Sequence, residues 1–262
     1  MNTNTRLYNL LNGFNGAQAT PLKSKIDNLI DHFEQFAQEM IYGGYIRVRN
    51  EYAIFISKVE FYYHEEEAVP GERIIDDIVY HRDGRFIGRN VPYFPMMTLH
   101  SHWSGFDITF EKESGHFRAS ALIRQYVVLD LKKNQFVELN TSENDEKDSD
   151  KIDQYRPVGS VLMHDKPVID TRSTYLQYFL NGFSMNGVDS GVEWCEISNP
   201  EYHKPKIETR KNAPEHKWGF IFGDKKEYET SVLRAKDILK QKAIMIIRAD
   251  GDQAHRFPDT GD

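Results

Sequence analysis

Residues 45–62 contain two segments rich in β-branched and aromatic residues: Tyr45-Ile46-Arg47-Val48-Arg49, then Ala53-Ile54-Phe55-Ile56-Ser57-Lys58-Val59-Glu60-Phe61-Tyr62. This pattern predicts a pair of β-strands around a short turn. Gly43-Gly44 stands just before them and ends whatever precedes. What precedes is helical in period. Between Pro21 and Met40, the residues Ile26, Leu29, Ile30, Phe33, Phe36, Ala37 and Met40 recur at steps of three and four. On the other side, 98–111 and 117–131 read as further strands, the second running through Ala119-Ser120-Ala121-Leu122-Ile123-Arg124-Gln125-Tyr126-Val127-Val128-Leu129. Short strands near 158–163 and 192–197, a helix from Ser173 to Asn181, a strand at 217–222 and a helix from Glu227 to Lys242 complete the reading. Residues 140–154, NTSENDEKDSDKIDQ, are polar, acidic and aperiodic, which predicts a surface loop. No internal repeat occurs, so the expectation is one α+β domain spanning 1–262 with that loop inside it.

The 262 residues are 39% hydrophobic and 13% aromatic, enough to bury a substantial core and to exclude disorder throughout. Charged residues make up 28%, the mean hydropathy is -0.63, and no apolar run approaches the ~20 residues that cross a bilayer. The start MNTNTRLYNLLNGF lacks the features of a secretory signal. A cytoplasmic protein without a membrane partner is therefore expected. Cys195 is the single cysteine, which excludes an intramolecular disulfide and a multi-cysteine zinc site. Its apolar, strand-like surroundings predict a buried packing residue. The formal charge of -7 argues against a protein that coats nucleic acid indiscriminately. Within 201–248, however, 12 basic residues face 7 acidic ones, a local excess of +5 on which a polyanion could dock.

Three clusters offer chemistry: Glu60 to Glu67 (EFYYHEEE), His81 with Arg89-Asn90, and His100-Ser101-His102-Trp103. On a strand, residues two apart share a face, so Glu60, Tyr62 and His64 point one way while Phe61 and Tyr63 point the other. An acid, a phenol and an imidazole are thereby set side by side. The same arithmetic puts His100 and His102 together. Such groups suit acid/base work, base stacking or metal binding. His116, His203, His216 and His255 lie in polar contexts, where exposure is expected. Phosphate loops of the Walker type, G-x-G-x-x-G fingerprints and G-x-S-x-G elbows are absent.

Taken in order, the clusters resemble the alkyladenine (3-methyladenine) DNA glycosylase family, whose core reads roughly V-E-T-E-A-Y, D-x-x-x-H, R-N-x-x-M-F, T/x-L-Y-V-Y, Y-G and L-L/I-R. The corresponding stretches are Val59-Glu60-Phe61-Tyr62-Tyr63-His64, Asp77 with His81, Arg89-Asn90-Val91-Pro92-Tyr93-Phe94, Thr98-Leu99-His100-Ser101-His102, Gly105 and Leu122-Ile123-Arg124. The match covers about 43–130 and, more loosely, 173–222. It implies a central, mostly antiparallel curved sheet flanked by helices. It also implies a protein that flips damaged purines out of DNA and hydrolyses their N-glycosidic bond, with no cofactor. By the same resemblance, His64, His81 and His102 take the ring-stacking positions of a base pocket and Arg124 retains the family's arginine. Trp103 lies near the wedge that fills the gap left by a flipped nucleotide.

The sequence departs from the family at the acid that activates water, where it has Tyr62. A phenol with an ordinary pKa near ~10 is a poor base at neutral pH. Glu60, on the same strand face, and Glu111, at the family's pocket asparagine, are the carboxylates placed to replace it. Glu60 can equally pair with Arg124 or Arg89 in a supporting network. Three functional readings follow. One is a divergent glycosylase using Glu111, Glu60 or Tyr62. Another is a non-catalytic binder of a nucleobase, nucleoside or modified DNA. The third is a metal-dependent hydrolase built on His81, His100, His102 and Glu111.

Overall fold

A computed structural model describes residues 5–17, 21–66, 69, 71–79, 92–102, 105–136, 162–163, 166–167, 185, 191–210 and 216–254. The predicted amphipathic stretch forms α2 (Leu22–Gln38), preceded by a short α1 (Arg6–Gly13) and followed by a π-helical turn, Glu39–Gly43. Leu29, Phe33, Phe36, Ala37 and Met40 are all buried. Phe33 stacks on Phe61 of the sheet with ring centroids 4.6 Å apart and planes within 7°. Phe33→Ala would leave a void at the centre of this cluster. It is expected to cost about 3–5 kcal/mol, read as a lower denaturant midpoint at unchanged m-value.

The predicted strand pair is β1 (Gly44–Val48) and β2 (Tyr52–Glu65), joined by a tight turn in which Arg49 and Asn50 take left-handed backbone angles. A Cβ at Gly44 would meet the Trp194 ring and the Cys195 carbonyl at 2.5 Å. Glycine there allows β9 (Val192–Glu196) to pair closely with β1. The stretch read as one strand over 98–111 is instead a hairpin, β3 (Leu99–His102) against β4 (Gly105–Thr109). The long apolar run that follows is β5 (Phe117–Asp130), with β6 (Gln135–Phe136) on its far end. Leu162–Met163 and Lys166–Pro167 form a separate small hairpin, β7 and β8.

The chain then supplies β10 (Lys206–Glu208) and β11 (Gly219–Ile221), of which sequence reading found only the second. The last helix, α3 (Lys225–Ala254), is longer than the predicted 227–242. The predicted helix at 173–181, the acidic loop at 140–154 and most of the strand near 158–163 lie outside the described residues. No described helix is long and apolar enough to cross a membrane.

The main sheet runs β10-β11-β2-β5-β4-β3, with β1 and β9 added beside the first part of β2, and every pairing is antiparallel. It curls into a half-barrel, so the fold is α+β with a curved antiparallel sheet and a few helices. Its axis is the β2–β5 pair, in register from Tyr52↔Asp130 to Glu65↔Phe117 and interrupted by a bulge between Ile56 and Val59. Alternation gives the sheet two unlike faces. One carries Val59, Phe61, Ile108, Phe110, Ala119, Ala121 and Ile123 into the apolar core with α1 and α2. The other carries Glu60, Tyr62, His64, Asp107, Thr109, Glu111, Arg118 and Ser120, almost all buried.

Candidate functional site

Burying a row of charged groups is costly unless each is paired. The polar face meets this condition through two covers, residues 72–79 and 92–97. Directly opposed residues of antiparallel strands share a face, so the register Gly219↔Glu60↔Leu122↔Asp107↔His100 sets one row across five strands. Tyr62, Ser120 and Thr109 form the next row, and His64 with Arg118 the one after.

In the first two rows, Glu60 is the hub. Its Oε2 accepts the Tyr62 hydroxyl at 3.2 Å and lies 3.0 Å from Arg124 Nε. Glu60 and Tyr62 stand two residues apart, yet the phenol leans along the strand until the two groups touch. The Glu60–Arg124 pairing foreseen as a supporting network is therefore present. Burial, and then the charge of Glu60, push the Tyr62 phenol far above the usual tyrosine range. Tyr62 is a protonated donor at neutral pH, the opposite of what a general base needs. Val79, Ile78 and Leu122 pack against its ring.

Beside it, Arg210 grips Asp76 through two contacts of 2.6 and 3.3 Å, with both side chains buried. Its guanidinium lies 4.8 Å from the Tyr62 ring centroid and 5.0 Å from that of Trp218. This pair also completes the sheet edge. Past Phe61, β11 no longer pairs with β2 among the described residues; there the Tyr63 amide donates to the Asp76 carboxylate, the Glu65 amide to the Ile74 carbonyl, and Phe61 O accepts from Arg210. The basic segment 201–248 thus reaches the site: it provides β11 beside Glu60, together with Arg210 and Trp218.

Glu111 and His64 belong to a different cluster. Arg118, buried under the Tyr93 ring, holds Glu66 at 2.9 Å, Glu111 at 3.5 Å and the Pro92 carbonyl at 3.0 Å. The Phe94 amide also donates to Glu111. His64 is pinned in place: its Nδ1 accepts the Asp76 amide at 3.2 Å, and its Nε2 lies 3.8 Å from Glu66. When neutral, the ring therefore carries its proton on Nε2. Held edge-on to these partners and almost fully buried, His64 braces the cover at 72–79.

His81, Arg89, Asn90 and Trp103 lie outside the described residues, and of His102 the backbone alone is described, paired with Gly105. The expected convergence of three imidazoles is thus carried by no described contact. Among the described residues, no group of three or more His, Cys, Asp and Glu could hold a metal ion. His216, expected to be exposed, stacks on Trp218 at 4.1 Å with planes within 4°, and His203 pairs with Glu227 at 3.1 Å. Cys195 is partly buried on β9, beside Tyr45. Sequence reading missed Asp76, Asp107, Arg118, Arg210 and Trp218 as members of the site. Asp107 was signalled by the alternation Phe106-Asp107-Ile108-Thr109-Phe110-Glu111; the distant Arg210 had no local signal. No protein-family model, curated protein or solved structure matches this chain.

Proposed function

We propose that this chain is a divergent protein of the alkyladenine DNA glycosylase type. In this reading it holds a nucleobase, free or turned out of modified DNA, on the polar face of its half-barrel and leaves the glycosidic bond intact. The observation that carries the reading is the state of the three groups nominated to activate water. Tyr62 keeps its proton, Glu60 is occupied by Tyr62 and Arg124, and Glu111 is held by Arg118 and the Phe94 amide. General-base catalysis needs a group free to take a proton from a water within hydrogen-bond reach. Recognition needs fixed polar groups beside apolar surface, which Tyr62, Arg124 and the partly buried Ile78 supply. The ordered motif series supports the kinship, and the exposed Lys217 beside Trp218 fits a nearby phosphate backbone.

The test is a binding titration run beside a base-release assay on one oligonucleotide carrying an alkylated purine, with the unmodified duplex and free bases alongside. Saturable binding with release at the protein-free rate is the expected result. Release proportional to protein and abolished by Glu111→Gln would replace this reading with excision of damaged purines.

A further inference from the structure

Tyr62, 9% exposed, and Arg124, whose side chain is 11% exposed, are the more accessible members of a polar face on which Glu60, Asp107 and Ser120 are almost fully covered. Both are anchored to the same atom, Glu60 Oε2, at 3.2 and 3.0 Å. That shared anchor gives them complementary capacities. A phenol has one proton and two lone pairs. The Tyr62 proton is committed to a carboxylate, which can only accept, and no described residue donates to Tyr62 Oη. What the oxygen has left to offer is therefore acceptor capacity alone. Arg124 is the reverse: its guanidinium has donors only, and its contact with Glu60 is made through Nε, leaving the Nη donors outside that contact. Because both groups contact one oxygen, Tyr62 Oη and Arg124 Nε are no more than about 6 Å apart, the triangle limit set by those two contacts, and the Nη donors sit at the far end of the same planar guanidinium.

We infer that Tyr62 Oη and the Arg124 Nη groups together read one edge of a planar heterocycle, selecting rings that place an N–H donor beside a ring nitrogen or carbonyl acceptor. Aminopyrimidine and lactam edges have this pattern; an unsubstituted ring nitrogen lacks the donor. The inference rests on the nucleobase-binding reading and narrows it to a chemical class. Glu60 is the positioning residue, since it fixes which way the Tyr62 proton points. A site built around a polar partner rejects an analogue lacking that partner more strongly than an apolar pocket rejects a change of size.

The experiment compares adenine, hypoxanthine and unsubstituted purine, each methylated at N9 so that no imidazole N–H stands beside N3, as competitors of one fluorescent base analogue, on the full chain. Adenine and hypoxanthine are expected to bind at least about ten-fold tighter than purine. In Tyr62→Phe, which keeps the ring packing, that preference should fall to within about two-fold while purine affinity is retained. The affinity ratio is the readout because a purely structural loss would lower all three ligands alike. Should Tyr62→Phe fail to fold, Glu60→Gln serves as the second variant: an amide N–H can donate to Tyr62 Oη and free the phenol proton, so the preference for adenine and hypoxanthine over purine is again expected to fall to within about two-fold. If all three bind the wild type equally, the edge-reading inference is overturned while the base-binding reading stands. If none binds, both are overturned.

Discussion

Above about pH 10 the protein is expected to lose stability steeply, faster than its lysines and exposed tyrosines alone would cause. Burial pushes the phenols of Tyr45, Tyr62, Tyr63 and Tyr228 well above the ordinary tyrosine value of 10.0. Nearby acidic groups add to this at Tyr62 and Tyr63. In the unfolded chain these phenols ionise near pH 10, whereas in the folded chain they stay protonated. The folded state therefore binds more protons, and the free energy of unfolding falls as pH rises. Below pH 10 both states are protonated and the contribution is complete. Each fully protected phenol removes up to about 1.4 kcal/mol per pH unit above that point, so the four together approach ~5 kcal/mol per unit. Denaturant midpoints measured across this range, with phenolate absorbance recorded in parallel, check the prediction. Stepwise ionisation of these tyrosines before unfolding would contradict it; a single cooperative transition is expected.

The second large effect concerns Asp76 and Arg210. Asp76→Ala strands a buried guanidinium and is expected to cost ~3–5 kcal/mol. That alone would hold for any buried ion pair. The distinguishing expectation is the double variant Asp76→Leu with Arg210→Met. Replacing both members of an isolated buried pair with apolar residues is often neutral or stabilising. Here the pair also serves the Tyr63 amide and the Phe61 carbonyl, filling the edge of β2 between the end of β11 and the Glu65–Ile74 backbone contact. Two backbone groups would be left without partners at about 1–3 kcal/mol each, so the double variant should remain at least ~2 kcal/mol less stable than wild type. Chemical denaturation of the three proteins decides the matter, and a double variant as stable as wild type would remove the sheet-completing role.

Much of this architecture was legible because it depends on local period. The stripe from Leu29 to Met40 gave α2, and the apolar runs gave β2 and β5 to within a few residues. Alternation likewise placed Glu60, Tyr62 and His64 on one face. It could not say what each side chain meets there. Glu60 finds Arg124, 64 positions away, while His64 is captured by Asp76 and Glu66. These outcomes depend on β2–β5 register and on a cover folded back from 72–79, neither of which has a sequence period. The 98–111 stretch was read as continuous because hydrophobic alternation persists on both sides of the turn. β10 escaped notice because Lys206-Ile207-Glu208 is short, charged and largely exposed, as edge strands often are.

The β2–β5 ladder joins segments more than fifty positions apart at its nearest rung, Glu65↔Phe117. Closing so long a loop has to precede any reward from the contacts it makes, which favours slow, late assembly. Glu60, Tyr62 and Arg124 meet only once that ladder is zipped, so the proposed ligand-reading surface and the global fold come into being together. An occupant of this surface would consequently protect the whole chain. Its presence should register as a concentration-dependent rise in melting temperature, which makes thermal shift a direct screen of candidate ligands.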